Sequence, residues 1–296
     1  MSGPPEAALG DPRAWPAPGK LNLFLHIVGR RPDGYHLLQT AFQFIDLCDE
    51  IRFWQRPDGV IERVRDAAGV PAESDLALRA ARVLAQHCGV AAGVGVELCK
   101  RLPVQGGVGG GSSDAATVLV ALNRLWGLNQ TVDALAQVGL GLGADVPVFV
   151  RGHAAWAEGV GERLTPAEFP VSIYLLVRPE VAIATAELFQ AAELTRDSPI
   201  ITMPGFLAAG GRNDFEPVVR RRYPAVAEAL DWLGQVAPAR LTGSGSCVFA
   251  AMPDERSAHE TLRRLPARWR GYVVHGLNRS PLLERLRLEE AQGAAR

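Results

Sequence analysis

Between Pro103 and Thr117 the chain reads Pro-Val-Gln-Gly-Gly-Val-Gly-Gly-Gly-Ser-Ser-Asp-Ala-Ala-Thr, and five of the six residues from Gly106 to Gly111 are glycine. A backbone without Cβ atoms can adopt positive φ and let another molecule approach closely, so this loop can wrap a ligand. Ser112, Ser113 and Asp114 are residue types favoured at helix N-caps, and Ala115, Leu119, Leu122 and Trp126 then recur at helical spacing. The glycines therefore lead into a helix N-terminus. There, N–H groups without intrahelical partners and the positive end of the macrodipole suit a phosphate, and nucleotide phosphate is the expected ligand.

Two familiar glycine signatures do not fit. A Walker A loop needs Lys after Gly111, where Ser112 stands; the dinucleotide pattern needs Gly at Ser112 or at Asp114, depending on its start. A plain surface turn would carry the same glycines, but the capping residues and the amphipathic helix behind them favour a binding loop.

At 296 residues the chain exceeds the usual size of one core, so two domains are expected, spanning 12–165 and 166–290. With 48% hydrophobic and 21% charged residues the composition is globular, and a formal net charge of −1 gives no global field for nucleic acid or an anionic membrane. The expected partner is a small molecule, and the expected assembly a monomer or weak homodimer. Cys48, Cys88, Cys99 and Cys247 lie far apart without a C-x-x-C pair, which speaks for reduced thiols in the cytoplasm rather than a disulfide framework or a zinc site. No secretory signal and no membrane-spanning run is visible; Met1 to Pro18 reads as a loose arm, and Leu283 to Arg296 as a short helix fraying at its end.

Strands and helices alternate. Leu21 to Val28 reads as a buried strand with odd positions on one face, and Ala41 to Phe53 as a strand with a turn near Asp49. Ser74 to Cys88 reads as a helix opening at Ser74 or Asp75 and ending before Gly89, Gly93 to Lys100 as a strand, and Thr131 to Val138 as a helix capped at Thr131. Beyond Pro166 come strands at Val171 to Val177, Cys247 to Ala251 and Tyr272 to His275, with helices at Thr185 to Leu194 and Tyr223 to Val236.

Four further stretches complete the pattern: Pro16-Ala-Pro-Gly-Lys-Leu-Asn-Leu-Phe-Leu, Arg31-Pro-Asp-Gly-Tyr-His-Leu-Leu-Gln-Thr, Gly141-Leu-Gly-Ala-Asp-Val-Pro-Val-Phe, and Leu241-Thr-Gly-Ser-Gly-Ser-Cys-Val-Phe-Ala. With the glycine loop they resemble, in order and over most of the chain, the three motifs of the GHMP small-molecule kinases. The resemblance implies an α+β fold, with an N-terminal nucleotide-binding α/β domain and a ferredoxin-like C-terminal domain. The Asp-Gly-Tyr-His wording resembles the branch that uses ATP and Mg²⁺ to phosphorylate the 2-hydroxyl of a cytidine-diphosphate-linked methylerythritol, in non-mevalonate isoprenoid biosynthesis.

On that resemblance Lys20 and Asp145 are the catalytic pair, Asp145 serving as base at the acceptor hydroxyl and Lys20 holding carboxylate and alkoxide. The residues alone leave other roles open: Lys20 could snorkel from its apolar strand, and Asp145 could cap the segment before Pro147. ATP binding is expected from Lys100, near the adenine or ribose, and from Pro103, Val104, Gln105, Gly106, Gly107, Val108, Gly109, Gly110, Gly111, Ser112, Ser113 and Asp114. The acceptor is expected at Asn22, Tyr35, His36, Thr185 and Phe189, with Tyr35 and Phe189 sandwiching the cytosine and His36 reading its edge. Family members carry Asn where this chain has Asp75 and Asp114, both expected near the adenosine. The loop from Thr242 to Ser246 is expected to close over the site, and Asn213 to Glu216 to cap a helix. Metal ligands are not read from the sequence. A homoserine- or mevalonate-type member would share the glycine loop but has no evident use for Tyr35, His36 and Phe189, whereas a non-catalytic relative would be expected to lack Lys20 or Asp145.

Overall fold

A long antiparallel hairpin forms the spine of the molecule, whose computed structural model describes residues 13–65 and 74–294. Its arms are β1 (Trp15–Arg30) and β2 (His36–Arg56). Residues Ala17 through Ile27 are buried on both faces of β1, not on one face only, because layers cover the hairpin from two sides. Trp15 to Pro18 belong to β1, where the sequence suggests a loose arm: Trp15 is buried and Pro16 and Pro18 pair with Glu50 and Cys48. The rest of that arm, residues 1–12, lies outside the described residues, as does part of the C-terminal end. β2 runs unbroken through Asp49, where a turn is expected. The buried Asp49 carboxylate accepts hydrogen bonds from the backbone N–H groups of Arg101 (2.5 Å) and Leu102 (2.8 Å) and from Lys100 Nζ, so its polarity is satisfied inside the sheet.

The chain continues through β3 (Ile61–Arg63), α1 (Leu76–Cys88), β4 (Gly93–Cys99), α2 (Gly110–Leu125), α3 (Val132–Leu140), α4 (Val146–Arg151), β5 (Ala155–Gly159) and β6 (Arg163–Pro166). β2 offers its second edge to three strands in turn: β5 along Leu38 to Phe42, β10 (Trp269–Leu277) at Phe44 and Ile45, and β4 along Glu50 to Arg56. α1, α2 and α4 bury their apolar sides against this sheet around Leu84, Leu119 and Phe149. α1 starts and stops as its sequence implies, with Asp75 accepting from Ala77 N–H at 2.9 Å and Gly89 left-handed at φ 66°. Thr131 likewise caps α3.

The second half contains β7 (Ile173–Pro179), α5 (Thr185–Gln190), α6 (Met203–Ala209), α7 (Glu216–Arg222), α8 (Pro224–Gly234), β8 (Ala239–Leu241), β9 (Val248–Met252) and α9 (Glu255–Arg263), with β10 and α10 (Pro281–Ala294) closing the chain. Its strands lie in the order β10-β7-β9-β8, all antiparallel, and the passage β7, helices, β8, β9, α9, β10 is the split βαββαβ arrangement of ferredoxin-like units. α5 ends at Gln190 rather than Leu194 because Ala191 turns extended. A third core, with Leu21, Phe24 and Ile45 against Leu176, Phe249 and Val274, joins the halves. Among the described residues no helix is long and apolar enough to cross a membrane.

Candidate active site

Lys20 enters the site because β1 slips register between Pro18 and Lys20. Beyond that irregularity Lys20 and Asn22, two residues apart, share one face of the strand. Buried Lys20 Nζ donates to Asn22 Oδ1 (2.5 Å) and to the Gly107 carbonyl (3.1 Å), and lies 3.3 Å from Asp145 Oδ2. All three ammonium protons are thus engaged, and the lysine bridges the glycine loop to Asp145. The Asn22 amide is oriented in turn, since its Nδ2 donates to Thr40 Oγ1 at 2.9 Å while Thr40 donates to the Phe24 carbonyl. Asp145 stands at the N-cap position of α4 yet makes no capping bond. Its carboxylate turns to Lys20 instead, and 35% of the side chain is open to the cavity, room enough for a hydroxyl to reach it.

The glycine loop is tied to both halves. Lys20 N–H donates to the Val108 carbonyl (2.9 Å) and Cys247 N–H to the Gly106 carbonyl (3.1 Å), while Thr242 Oγ1 accepts from Asn22 N–H (3.0 Å) and donates to the Gly107 carbonyl (3.3 Å). A Cβ on Gly107, whose φ is 75°, would sit 2.2 Å from the Thr242 carbonyl oxygen. This glycine is therefore required by the approach of the Thr242 loop. Gly110 differs, for its Cβ would meet nothing nearer than Lys100 Nζ at 3.4 Å.

α2 begins at Gly110 with left-handed Gly109 as its cap, so Ser112, Ser113 and Asp114 fall inside the first turns instead of capping. Ser112, half-buried, turns its hydroxyl towards Gly143; Ser113 is buried. Asp114 Oδ2 accepts from Lys100 Nζ at 2.6 Å, and the same ammonium is bound by Asp49. Burial raises the Asp114 pKa well above the carboxylate range, Lys100 opposes the rise and the nearby Asp49 charge adds to it. Lys100 is likewise held protonated by its two carboxylates in spite of burial. Lys100, expected near the adenine or ribose, lies buried beneath Gly110 with both partners. Asp75, the other position where family members carry Asn, is buried and paired with Arg63.

A single cavity of about 1360 Å³ takes in Lys20, Asn22, Tyr35, His36, Asp145, Thr185 and Phe189, and reaches the glycine loop at Gln105, Gly107 and Gly109. The His36 and Phe189 rings stack with centroids 4.7 Å apart at an interplanar angle of 24°, and Phe215 meets the Phe189 ring edge-on at 4.9 Å. Tyr35 stands apart, exposed, with the Arg31 guanidinium 6.0 Å from its ring. Across the cavity Thr185 Oγ1 and Ser244 Oγ are 2.6 Å apart, joining α5 to the Thr242 to Ser246 loop. Asn213 holds that loop by donating from Nδ2 to the carbonyls of Leu241 (2.9 Å) and Gly243 (2.8 Å); the segment is expected to cap a helix, but α7 opens at Phe215 without a side-chain capping bond. Asp49 and Arg196, which bonds His36, were invisible as site residues in the sequence: a lone acid inside a strand and a lone arginine in a loop carry no local signal.

Known proteins resemble this chain over about nine-tenths of its length. Residues 75–153 match the GHMP kinases N terminal domain and residues 203–271 the GHMP kinases C terminal domain. The 4-diphosphocytidyl-2-C-methyl-D-erythritol kinase of Nitrosococcus oceani is 57% identical over 270 residues, covering 91% of this chain and 96% of the relative. That of Alkalilimnicola ehrlichii is 57% identical over 278 residues, covering 94% and 96%. A crystal structure of 4-(cytidine 5'-diphospho)-2C-methyl-D-erythritol kinase superposes with a TM-score of 0.77 at 31% identity, over 89% of this chain and 98% of that one. A mevalonate kinase structure shares the fold alone, with a TM-score of 0.67 at 16% identity over 90% and 99%. The glycine loop at the mouth of α2, the ferredoxin-like second half and relatives matched nearly end to end agree, and the chain belongs to the GHMP kinases.

Proposed function

We propose that this protein is an ATP-dependent kinase that phosphorylates the 2-hydroxyl of 4-diphosphocytidyl-2-C-methyl-D-erythritol, supplying an isoprenoid precursor route that bypasses mevalonate. The observation that carries this reading is the single cavity in which Lys20 and Asp145 lie beside the glycine loop while His36 and Phe189 form an aromatic end. A charge pair with a phosphate cradle serves phosphoryl transfer, and an aromatic end serves a nucleobase.

In the proposed reaction Asp145 takes the proton of the acceptor hydroxyl, the oxygen attacks the γ-phosphorus, and ADP leaves with the electrons of the broken bond. Lys20, held by Asn22 and the Gly107 carbonyl, sits where negative charge passes from carboxylate to alkoxide to phosphoryl oxygen. The N–H groups opening α2 receive the phosphates, and the residues from Pro103 to Asp114 form their cradle. Lys100 acts from beneath, with Asp49 and Asp114 fixing the strand that feeds the loop. At the far end the base meets the edge of the His36 ring and stacks on the part of Phe189 that the nearly parallel His36 leaves uncovered. Tyr35 closes on its other face, and Asn22 and Thr185 hold the polyol.

Among the described residues no three His, Cys, Asp or Glu side chains gather as a metal cage. That suits Mg²⁺, which keeps waters and is held through substrate phosphates with one or two oxygen groups. Ser112, half-buried in the opening turn of α2, is the group at the loop that would fit this need. When bound, Mg²⁺ neutralises phosphate charge. We propose further that residues 12–165 and 166–290 act as two units, that the enzyme is a cytoplasmic monomer or weak homodimer, and that its four free cysteines stay reduced.

A kinase assay over an acceptor panel tests the reading. Turnover of the cytidine-diphosphate-linked methylerythritol, with little on homoserine, mevalonate or simple sugars, is expected; comparable turnover of any of these would remove the isoprenoid role.

A further inference from the structure

What an imidazole offers at its edge depends on which nitrogen carries the proton. Arg196, in the segment after α5, donates from Nε to His36 Nε2 at 3.2 Å. The same guanidinium donates to the carbonyls of Leu194 (3.0 Å), Phe189 (2.9 Å) and Ala191 (2.7 Å). These bonds fix the direction of a planar fork that has no acceptor and keeps its protons. The nitrogen it meets must therefore be bare, which leaves the proton of a neutral ring on Nδ1.

The charges around the ring favour that neutral form. Burial lowers the His36 pKa first, and Arg196 and then Arg30, from the end of β1, push the same way. Asp33, in the turn between β1 and β2, lines the same cavity but is paired with Arg31 at 2.6 Å.

We propose that Arg196 is a positioning residue for base selection, holding His36 as the Nδ1–H tautomer so that the ring meets the acceptor's base as a hydrogen-bond donor. This rests on the proposed function, which puts a cytosine at His36. Cytosine has an acceptor at N3 where uracil carries N3–H, so a fixed donor admits one and opposes the other. The guanidinium also grips the C-terminal end of α5 at Phe189, so the stacking ring and the reading ring are set by one side chain.

NMR on the ligand-free enzyme labelled with ¹⁵N-histidine reads the tautomer directly. The expected result is a proton on Nδ1 of His36 and none on Nε2 at neutral pH, with Nε2–H appearing in Arg196→Met and the ring pKa rising once the cation is gone. A wild-type ring protonated on Nε2 overturns the proposal without any substrate. The ratio of kcat/KM for the cytidine and uridine forms of the acceptor reads the consequence. Arg196→Met should lower that preference about tenfold with KM for ATP within about twofold of wild type, and Arg196→Lys should retain more of it. An undiminished preference in Arg196→Met overturns base selection through this residue. Should Arg196→Met fail to fold, the wild-type tautomer still decides. Wild-type enzyme that phosphorylates neither nucleotide would refute the proposed function, and base selection with it, whatever the tautomer.

Discussion

Lys20 Nζ lies 3.3 Å from Asp145 Oδ2, and the two differ in exposure: the lysine is 3% open and the aspartate 35%. A buried cation thus fixes one carboxylate oxygen while the carboxyl group stays reachable, which is the geometry needed to accept a proton from a bound hydroxyl. Asp145→Asn and Lys20→Met should each lower kcat by at least about a hundredfold, with little change in ATP affinity. Steady-state kinetics with separate ATP titrations check this, and wild-type turnover in either variant would contradict the assignment.

Gly110→Val and Gly107→Ala should fail in different ways. A Cβ on Gly110 faces the buried Lys100–Asp49 pair, with Lys100 Nζ at 3.4 Å and Asp49 Oδ2 at 3.6 Å, so the γ-carbons of Val should press on that pair and shift the opening turn of α2; ATP should bind weakly while the acceptor still binds. Gly107→Ala places its Cβ on the Thr242 carbonyl, so stability should fall by more than about 1 kcal/mol. Thermal melts paired with calorimetry of each ligand separate the two outcomes.

Phe189→Ala should raise KM for the cytidine substrate by about ten- to a hundredfold and leave KM for ATP near wild type, because stacking is lost on the acceptor side alone. Equal changes in both KM values would mean that the ring holds the fold rather than the base.

Asp114 gives a pH signature. Its folded-state pKa is raised, so the folded protein binds a proton that the unfolded chain releases above the ordinary carboxylate range. Stability from this group is therefore present at acid pH and lost as pH climbs towards the raised value. Asp114→Asn removes the titration and keeps an oxygen for Lys100. The drop in Tm between pH 6 and pH 9 should be smaller in Asp114→Asn than in wild type by at least about 2 °C.

Local chemistry made part of this molecule legible. Asp75 and Gly89 bracket α1 and Thr131 opens α3, since a cap depends on neighbours a few residues away. The motif around Gly143-Ala144-Asp145 pointed to the carboxylate that meets Lys20. The rest depends on contacts between distant segments. Asp49 looks like a turn residue until Lys100, Arg101 and Leu102 arrive beside it. The first turn of α2 looks capped by serine until Gly109 is seen to turn left-handed. Arg196 shows nothing in sequence because its meaning lies in His36, 160 residues away along the chain and 3.2 Å away in the fold.

The β1–β2 hairpin carries both ends of the proposed reaction. Asn22 pairs with Phe42, beside the reacting pair, and six residues further along β2 stands His36, a run of about 20 Å at an extended rise before curvature shortens it. The spine is thus also a ruler. An acceptor anchored by its base at one end must be long enough to bring a hydroxyl to the other, and a short alcohol can occupy either station but not both. Selection by length comes with the hairpin itself, before any individual contact is made.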